Sequence, residues 1–391
     1  MSRFAFVVPP LAGHINPTIG VGAELSARGH EVAWVGHPAA LELLLADGAC
    51  ILPVLDDGLT ARLRDDQDRW LKLRGIPALR FFWEDFLLPL AGKMLPGISA
   101  AITDYAPDVV IADQQALAGA VAARRAGITW VTSASTSSEL TQPLAAIPKV
   151  EKWIIAQLTA FQLDNGISNP VDLRLSDQLA LIFTTPALMG DATHLGGQCV
   201  FTGPVLVGRP ERATFPWEWL DPGRTHVLVS LGTINGPAGD RFFKIVVEAL
   251  ADLGDEMQLV VTAAQPESPR AGSTPPHILF AGHVPQLALL PQMSAVVCHG
   301  GHNTVCESLA HGLPLVVTPI RDDQPIIAQQ VADAGAGIRL RFGRLRAGEL
   351  HDAVRAVLDD PTYRTAAERV RDSFAAAGGA ATAADHLEKL L

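Results

Sequence analysis

The sequence predicts an α/β protein of two parallel-sheet domains with helices on both faces of each sheet. Three observations carry that expectation. Strand-like and helix-like stretches alternate through both halves of the chain. The strand-like stretches are short, continuous apolar runs, as in strands buried on both faces. At 391 residues the chain exceeds one ordinary core, and a stretch rich in Pro, Gly and aromatic residues, Gly203–Gly223, interrupts it near the middle.

Phe4–Val8 is the first such run. Asn16-Pro17 then reads as an N-cap followed by Pro at the first helical position, with the helix running to about Arg28 and stopped by Gly29. His30–Val35 is the next strand. Asp108–Ala112, Ala116–Arg125 and Ile128–Thr132 repeat the order strand, helix, strand. In the second half His226–Leu231, Gln258–Thr262, Ala295–Cys298 and Leu315–Thr318 read as strands, and Gly239–Leu253, Asn303–His311 and Pro325–Ala334 as helices. The last segment, Pro361–Leu391, reads as helices broken near Gly378-Gly379. The expected division is an N-terminal domain over 1–205, a linker over 206–222, a C-terminal domain over 223–375, and a final helical segment, 376–391, that packs back on the N-terminal domain.

Composition narrows the function. Hydrophobic residues make up 48% and charged residues 18% of the chain, which suits packed cores. A net charge of −11 repels nucleic acid and anionic membranes, so neither is an expected partner. An anionic substrate would need local features to hold it. Cys50, Cys199, Cys298 and Cys306 include no CxxC pair and form no disulfide framework, which fits a reduced cytoplasm. Pro9-Pro10 interrupt the first apolar run and no small-residue cleavage site follows, so that run reads as a strand and not a signal peptide. No stretch of 18 apolar residues suggests a membrane span.

In open parallel sheets ligands bind at the carboxyl ends of strands, and four such loops carry chemistry here. His14, in Ala12–Pro17, follows the first strand and has the residue type of a base near neutral pH; a turn histidine bonded to backbone is the plain alternative. Asp113 closes the strand Val109–Ala112. Beside a histidine it would orient the ring, and otherwise it caps the following helix. Ser230-Leu231-Gly232-Thr233 offers N–H and O–H donors to a phosphate, or is an ordinary turn. His299-Gly300-Gly301 ends a strand and opens a helix, a combination that makes an anion site. Glu307, one turn beyond Asn303, could reach a ribose, though Thr304 to Glu307 also fits a capping box. Asp323 sits near the start of another helix, with Pro325 as its first residue.

Taken together, these residues resemble the family 1 nucleotide-sugar glycosyltransferases, which include plant small-molecule glucosyltransferases and bacterial natural-product enzymes. The plant signature runs W-x-P-Q, then H-C-G-W-N-S-x-x-E, then P-x-x-x-D-Q. This chain has His283-Val284-Pro285-Gln286, then His299-Gly300-Gly301-His302-Asn303-Thr304-Val305-Cys306-Glu307, then Pro319-Ile320-Arg321-Asp322-Asp323-Gln324. The likeness is strongest over about residues 226 to 335. It implies the GT-B fold, in which two Rossmann-like domains face each other across a cleft.

The resemblance also implies roles. Val284 would meet the donor base through its backbone, and His283 stands where plant enzymes stack a Trp. Gln286 and Glu307 would bind near the ribose. Thr233, His299, Gly301, Asn303 and Thr304 would hold the diphosphate, and Asp323 and Gln324 the sugar hydroxyls. His14 matches the catalytic base and Asp113 its partner. The implied reaction moves a hexose from a UDP- or dTDP-sugar to a hydroxyl of a small, largely apolar natural-product acceptor, with inversion. It requires no cofactor and no metal, and no DxD motif is evident. Trp70, Phe81, Phe82, Trp83 and Phe86, with Trp153 and Phe161, suit either an apolar acceptor pocket or ordinary core. A nucleotide-sugar epimerase of the same fold and a catalytically silent nucleotide-sugar-binding helper are the rival readings.

Overall fold

The structure, a computed structural model, describes residues 1–54, 69–70, 73–232, 237–262 and 274–391. The chain forms two compact units. Unit 1 comprises Met1–Phe183, Thr193–Pro210 and Gly378–Leu391, and unit 2 comprises Thr184–Ala192 and Glu211–Ala377. The main crossing after Pro210 falls inside the expected linker over 206–222, and Thr184–Ala192 joins unit 2 ahead of it. Leu188, on the short helix Pro186–Met189, is buried with Phe215 in a core of unit 2, so an apolar anchor draws Thr184–Ala192 there before the Pro- and Gly-rich stretch begins.

Unit 1 opens with β1 (Arg3–Val7), helix α1 (Ala12–Ala27), β2 (Glu31–Gly36) and β3 (Cys50–Pro53). A long helix α2 (Ile76–Tyr105), π-helical over Phe81–Leu87, leads to β4 (Val109–Asp113), α3 (Leu117–Ala126) and β5 (Thr129–Ala134). After β6 (Ala180–Ile182) and β7 (Cys199–Phe201), the parallel sheet reads β3-β2-β1-β4-β5-β6-β7. Alternation along the strands makes two cores. Ala5, Val7, Val110 and Ala112 face α2 and α3, while Phe4, Phe6, Val109 and Ile111 face α1.

Helix α1 departs from expectation. It starts at Ala12 behind the extended Leu11, so Asn16 is not its cap and Pro17 lies inside it. The fixed φ of proline suits a helix. The amide it lacks would have reached back to residue 13, in the first turn, so one helical bond is lost and no more. His14 therefore sits in the first turn of α1 and not in a loop.

By length and composition α2 is apolar enough to cross a membrane, yet Leu90, Met94, Leu95, Ile98 and Ile102 are buried in the core of unit 1. Phe81, Trp83 and Phe86 are buried in that core as well. Phe82, Trp70, Trp153 and Phe161 are half-buried against it, with the Trp70 ring 5.3 Å from that of Phe82.

Unit 2 contains β8 (Thr225–Ser230), α4 (Pro237–Leu250), β9 (Met257–Thr262), β10 (Ile278–Ala281), β11 (Ala295–Cys298), α5 (His302–Ala310), β12 (Leu315–Val317), α6 (Gln324–Asp333), β13 (Gly337–Arg339), α7 (Ala347–Asp359) and α8 (Pro361–Ala377). Its parallel sheet runs β10-β9-β8-β11-β12-β13. The chain then returns to unit 1 as α9 (Gly379–Glu388), which packs on α1 and adds Ala380, Ala383, Ala384 and Leu387 to the core of Phe4 and Phe6. Arg28 fastens it, with Nη1 donating to Asp385 at 2.6 Å and to Glu388 at 2.7 Å.

Candidate active site

Each sheet has one point where the chain leaves neighbouring strands in opposite directions, the usual position of a ligand crevice. In unit 1 it lies between β1 and β4. Val109 and Ile111 share a core with Ile15 and Ile19 of α1, so the same alternation aims Asp113, two residues on, at the first turn of α1. There His14 Nδ1 lies 2.8 Å from Asp113 Oδ1. The Asp113 side chain is 0% exposed and that of His14 15%, so the carboxylate is sealed while the ring keeps an open edge.

Asp113 is also braced from its own loop: the Gln115 N–H donates to Oδ1 at 2.8 Å. Ala116, not Asp113, is the residue before α3. A further group was not legible as a site residue. The Ser135 hydroxyl donates to Asp113 Oδ2 at 2.6 Å and lies 2.7 Å from His14 Nδ1. The signal for it is the strand register. Asp113 pairs with Ser133, and Val131 shares the core of Val109 and Ile111, so Ser135 continues the same face one step further.

In unit 2 the corresponding point lies between β8 and β11. Cys298 pairs with Ser230, which brings the turn at Gly232 beside His299 and Gly301. Both glycines are required there. A Cβ on Gly232 (φ +66°) would lie 2.7 Å from His299 Cε1, and one on Gly301 2.5 Å from His299 Nε2. Burial pushes the His299 imidazole down to about 4, Asp323 opposing and Arg321 adding to the effect, so it is uncharged at neutral pH. One ring nitrogen bonds the Ser230 carbonyl. Nδ1 is buried without a protein partner among the described residues.

Gly301 is the extended residue before α5 and makes no side-chain cap. The N–H groups of His302, Asn303 and Thr304 thus open the helix without intrahelical acceptors. Val305, Cys306 and Leu309 hold α5 against Leu315 and Val317 in the core. The capping box does not form, because the helix starts ahead of Thr304 and Glu307 falls in its interior. Glu307 is buried, and the Gln286 side-chain amide donates to its Oε2 at 2.5 Å. Val284 packs against the same core, while His283 is exposed.

Asp323 precedes α6 without a side-chain cap bond. Gln324, not Pro325, is the first residue of that helix. Gln324 Oε1 accepts the N–H groups of Ile320 at 2.9 Å and Arg321 at 3.1 Å, which leaves its amide end for other partners. Thr233 lies outside the described residues. Among the described residues no group of three or more His, Cys, Asp or Glu is arranged to hold a metal.

Residues 244–390 match the family described as erythromycin biosynthesis protein CIII-like, C-terminal domain. The whole chain is 27% identical to 4'-demethylrebeccamycin synthase of Lentzea aerocolonigenes, with both proteins fully covered. It is 30% identical to demethyllactenocin mycarosyltransferase of Streptomyces fradiae, over all of this chain and 87% of that protein. The crystal structure of the glycosyltransferase of kitacinnamycin superposes with a TM-score of 0.80 at 27% identity, covering 100% of this chain and 99% of that one. With this topology and similarity over its full length, the chain belongs to the family 1 nucleotide-sugar glycosyltransferases of natural-product type and is a glycosyltransferase of the GT-B fold.

Proposed function

We propose that this enzyme moves a hexose from a UDP- or dTDP-sugar to a hydroxyl of a small, largely apolar acceptor, with inversion and without a metal. The observation that carries the reading is the 2.8 Å contact between His14 Nδ1 and the sealed Asp113 carboxylate. A carboxylate only accepts, so Nδ1 holds the proton and Nε2 keeps its lone pair for the acceptor O–H. As the acceptor oxygen attacks the anomeric carbon, Nε2 takes its proton, and Asp113 stabilises the imidazolium that forms. The C–O bond to the diphosphate breaks on the opposite face.

For the leaving group, the reading uses the opening N–H groups of α5, beside the glycines at 232 and 301; the His299 ring, whose one hydrogen meets the Ser230 carbonyl, would pack against the diphosphate without donating to it. Fixed donors at developing negative charge lower the barrier with no reorganisation during the step. Glu307 and Gln286 would take the ribose, Val284 the base through its backbone, Thr233 a phosphate oxygen, and Asp323 with the Gln324 amide the sugar hydroxyls. The half-buried Trp70 and Phe82 remain candidates for acceptor contact. The names of the relatives, 4'-demethylrebeccamycin synthase and demethyllactenocin mycarosyltransferase, support natural products as acceptors.

The test is a transfer assay with UDP-glucose and dTDP-glucose against a panel of polycyclic aromatic and macrolide alcohols. The anomeric configuration of the product is read by proton coupling. An α-donor should give a β-glycoside. Retention of configuration would overturn the single-displacement mechanism and His14 as its base.

A further inference from the structure

We infer that Ser135 is a positioning residue for the base: its hydroxyl closes a hydrogen-bonded ring with Asp113 and His14 that fixes which nitrogen of His14 is free to take a proton. This inference rests on His14 being the base.

The argument is one of counting protons. Three groups converge in a buried space: Ser135 Oγ is 2.6 Å from Asp113 Oδ2 and 2.7 Å from His14 Nδ1, and Nδ1 is 2.8 Å from Oδ1. Ser135 is 3% exposed and the Asp113 side chain 0%, so bulk water does not serve these contacts. A serine hydroxyl has one hydrogen and two lone pairs, and an ionised carboxylate has lone pairs only. If the hydroxyl pointed at a bare Nδ1, that nitrogen and Oδ1 would face each other lone pair to lone pair at 2.8 Å. The favourable assignment gives the Ser135 hydrogen to Oδ2 and the Nδ1 hydrogen to Oδ1, with a Ser135 lone pair beside the same N–H. Every contact is then satisfied and Nε2 carries no proton.

The ring also fixes the plane of the carboxylate. His14 and the Gln115 N–H both meet Oδ1, whereas among the described residues Ser135 is the donor to Oδ2. Without the hydroxyl, Asp113 is held at one oxygen. It is then free to turn about its Cβ–Cγ bond, taking the imidazole out of line with the acceptor. A buried carboxylate oxygen stripped of its donor is costly, so the group relaxes and does not stay in place. Ser135 suits the position because alternation along β5 carries its Cβ to the Asp113 side, and threonine would supply the same hydroxyl from the same backbone.

The test compares Ser135→Ala, Ser135→Thr, His14→Ala and the His14→Ala/Ser135→Ala double variant. Ser135→Ala should lower kcat by about 10–100-fold, the scale known for losing a hydrogen-bond partner that orients a metal-ligating histidine. KM for the nucleotide sugar should stay within about twofold, because the donor residues lie in unit 2. Ser135→Thr should restore most of the rate. In the His14→Ala background Ser135→Ala should cost nothing further, since what it positions is gone.

If Ser135→Ala destabilises the fold, Ser135→Cys, with a weakly donating thiol of similar size, carries the same comparison. A wild-type kcat in Ser135→Ala overturns the inference. So does an undiminished loss in the His14→Ala background, which would mean that Ser135 acts on a substrate or on folding. If His14→Ala alone turns over at the wild-type rate, the base assignment fails, and this inference fails with it.

Discussion

The two units repeat one parallel-sheet topology and furnish its crevice point in opposite ways. In unit 1 the ends of β1 and β4 carry side chains, a histidine and an aspartate locked by a serine. In unit 2 the ends of β8 and β11 are opened by glycines: Gly232 and Gly301 leave the room that the uncharged His299 ring fills, and backbone N–H groups open α5. Moving a proton needs a titratable group held in one tautomer, which takes buried partners. Holding a diphosphate needs several donors close together, which backbone supplies best where side chains are missing. The comparison separates residues whose loss should stop chemistry from residues whose loss should stop binding.

The largest expected effect is on the unit 1 side. His14→Ala should lower turnover by about 10²–10⁴-fold with a weakly acidic alcohol acceptor, the worth of a positioned general base. Nucleoside diphosphate affinity, measured by calorimetry, should stay at the wild-type value. Equal losses in both would erase the division of labour. A more acidic acceptor hydroxyl should shrink the loss, because it needs less help to ionise.

The second effect is a pH dependence from unit 2. The folded His299 titrates near 4, below the 6.5 of a free imidazole. The unfolded chain therefore binds the proton first as the pH falls. The contribution of His299 to stability is complete above pH 6.5 and is lost progressively toward pH 4. Urea unfolding at pH 7.5 and 4.5 should show a drop that is about 2–3 kcal/mol smaller in His299→Gln than in the wild type. An unchanged drop would mean that His299 is not held neutral by burial.

Glu307→Ala should weaken nucleoside diphosphate binding by about 1–3 kcal/mol, as for a lost hydrogen bond to a charged group. Nothing at the His14 end should change: the pH profile of kcat should keep its shape. Unchanged affinity with a lower melting temperature would make Glu307 a structural partner of Gln286 alone. The smallest expected effect is none. Because leaving-group stabilisation is assigned to protein groups, EDTA should leave turnover unaltered, and a strict requirement for Mg²⁺ or Mn²⁺ would break that assignment.

How far the sequence was legible follows the same contrast. Glycine-marked turns announce themselves locally, and the strand Ala295–Cys298 and the glycine-flanked start of the next helix were readable to within a residue. Side-chain networks do not. His14 and Asp113 stand 99 residues apart, and only the adjacency of β1 and β4 brings them together. Ser135 was missed because a serine after a strand carries no local mark; parallel register and alternation aim it at Asp113. The start of α1 was misplaced because Pro17 looks like a first helical residue, while further inside the helix its missing amide costs only one hydrogen bond. Leu188 went unread as a boundary marker because an isolated apolar residue does not show which core will bury it.

Helix α9 has a consequence for how the molecule is made. Its core residues Ala380, Ala383, Ala384 and Leu387 follow the whole of unit 2 along the chain, yet they cover Phe4 and Phe6, which leave the ribosome at the start. At about 5–20 residues per second, one face of the first sheet waits tens of seconds for its lid while unit 2 is synthesised. Unit 2 needs only the nine residues Thr184–Ala192 from outside its main segment, and those precede it. The later-encoded unit is thus the first able to complete its core. Until Asp385 and Glu388 reach Arg28, the core around Phe4 and Phe6 in unit 1 lacks the helix that completes it.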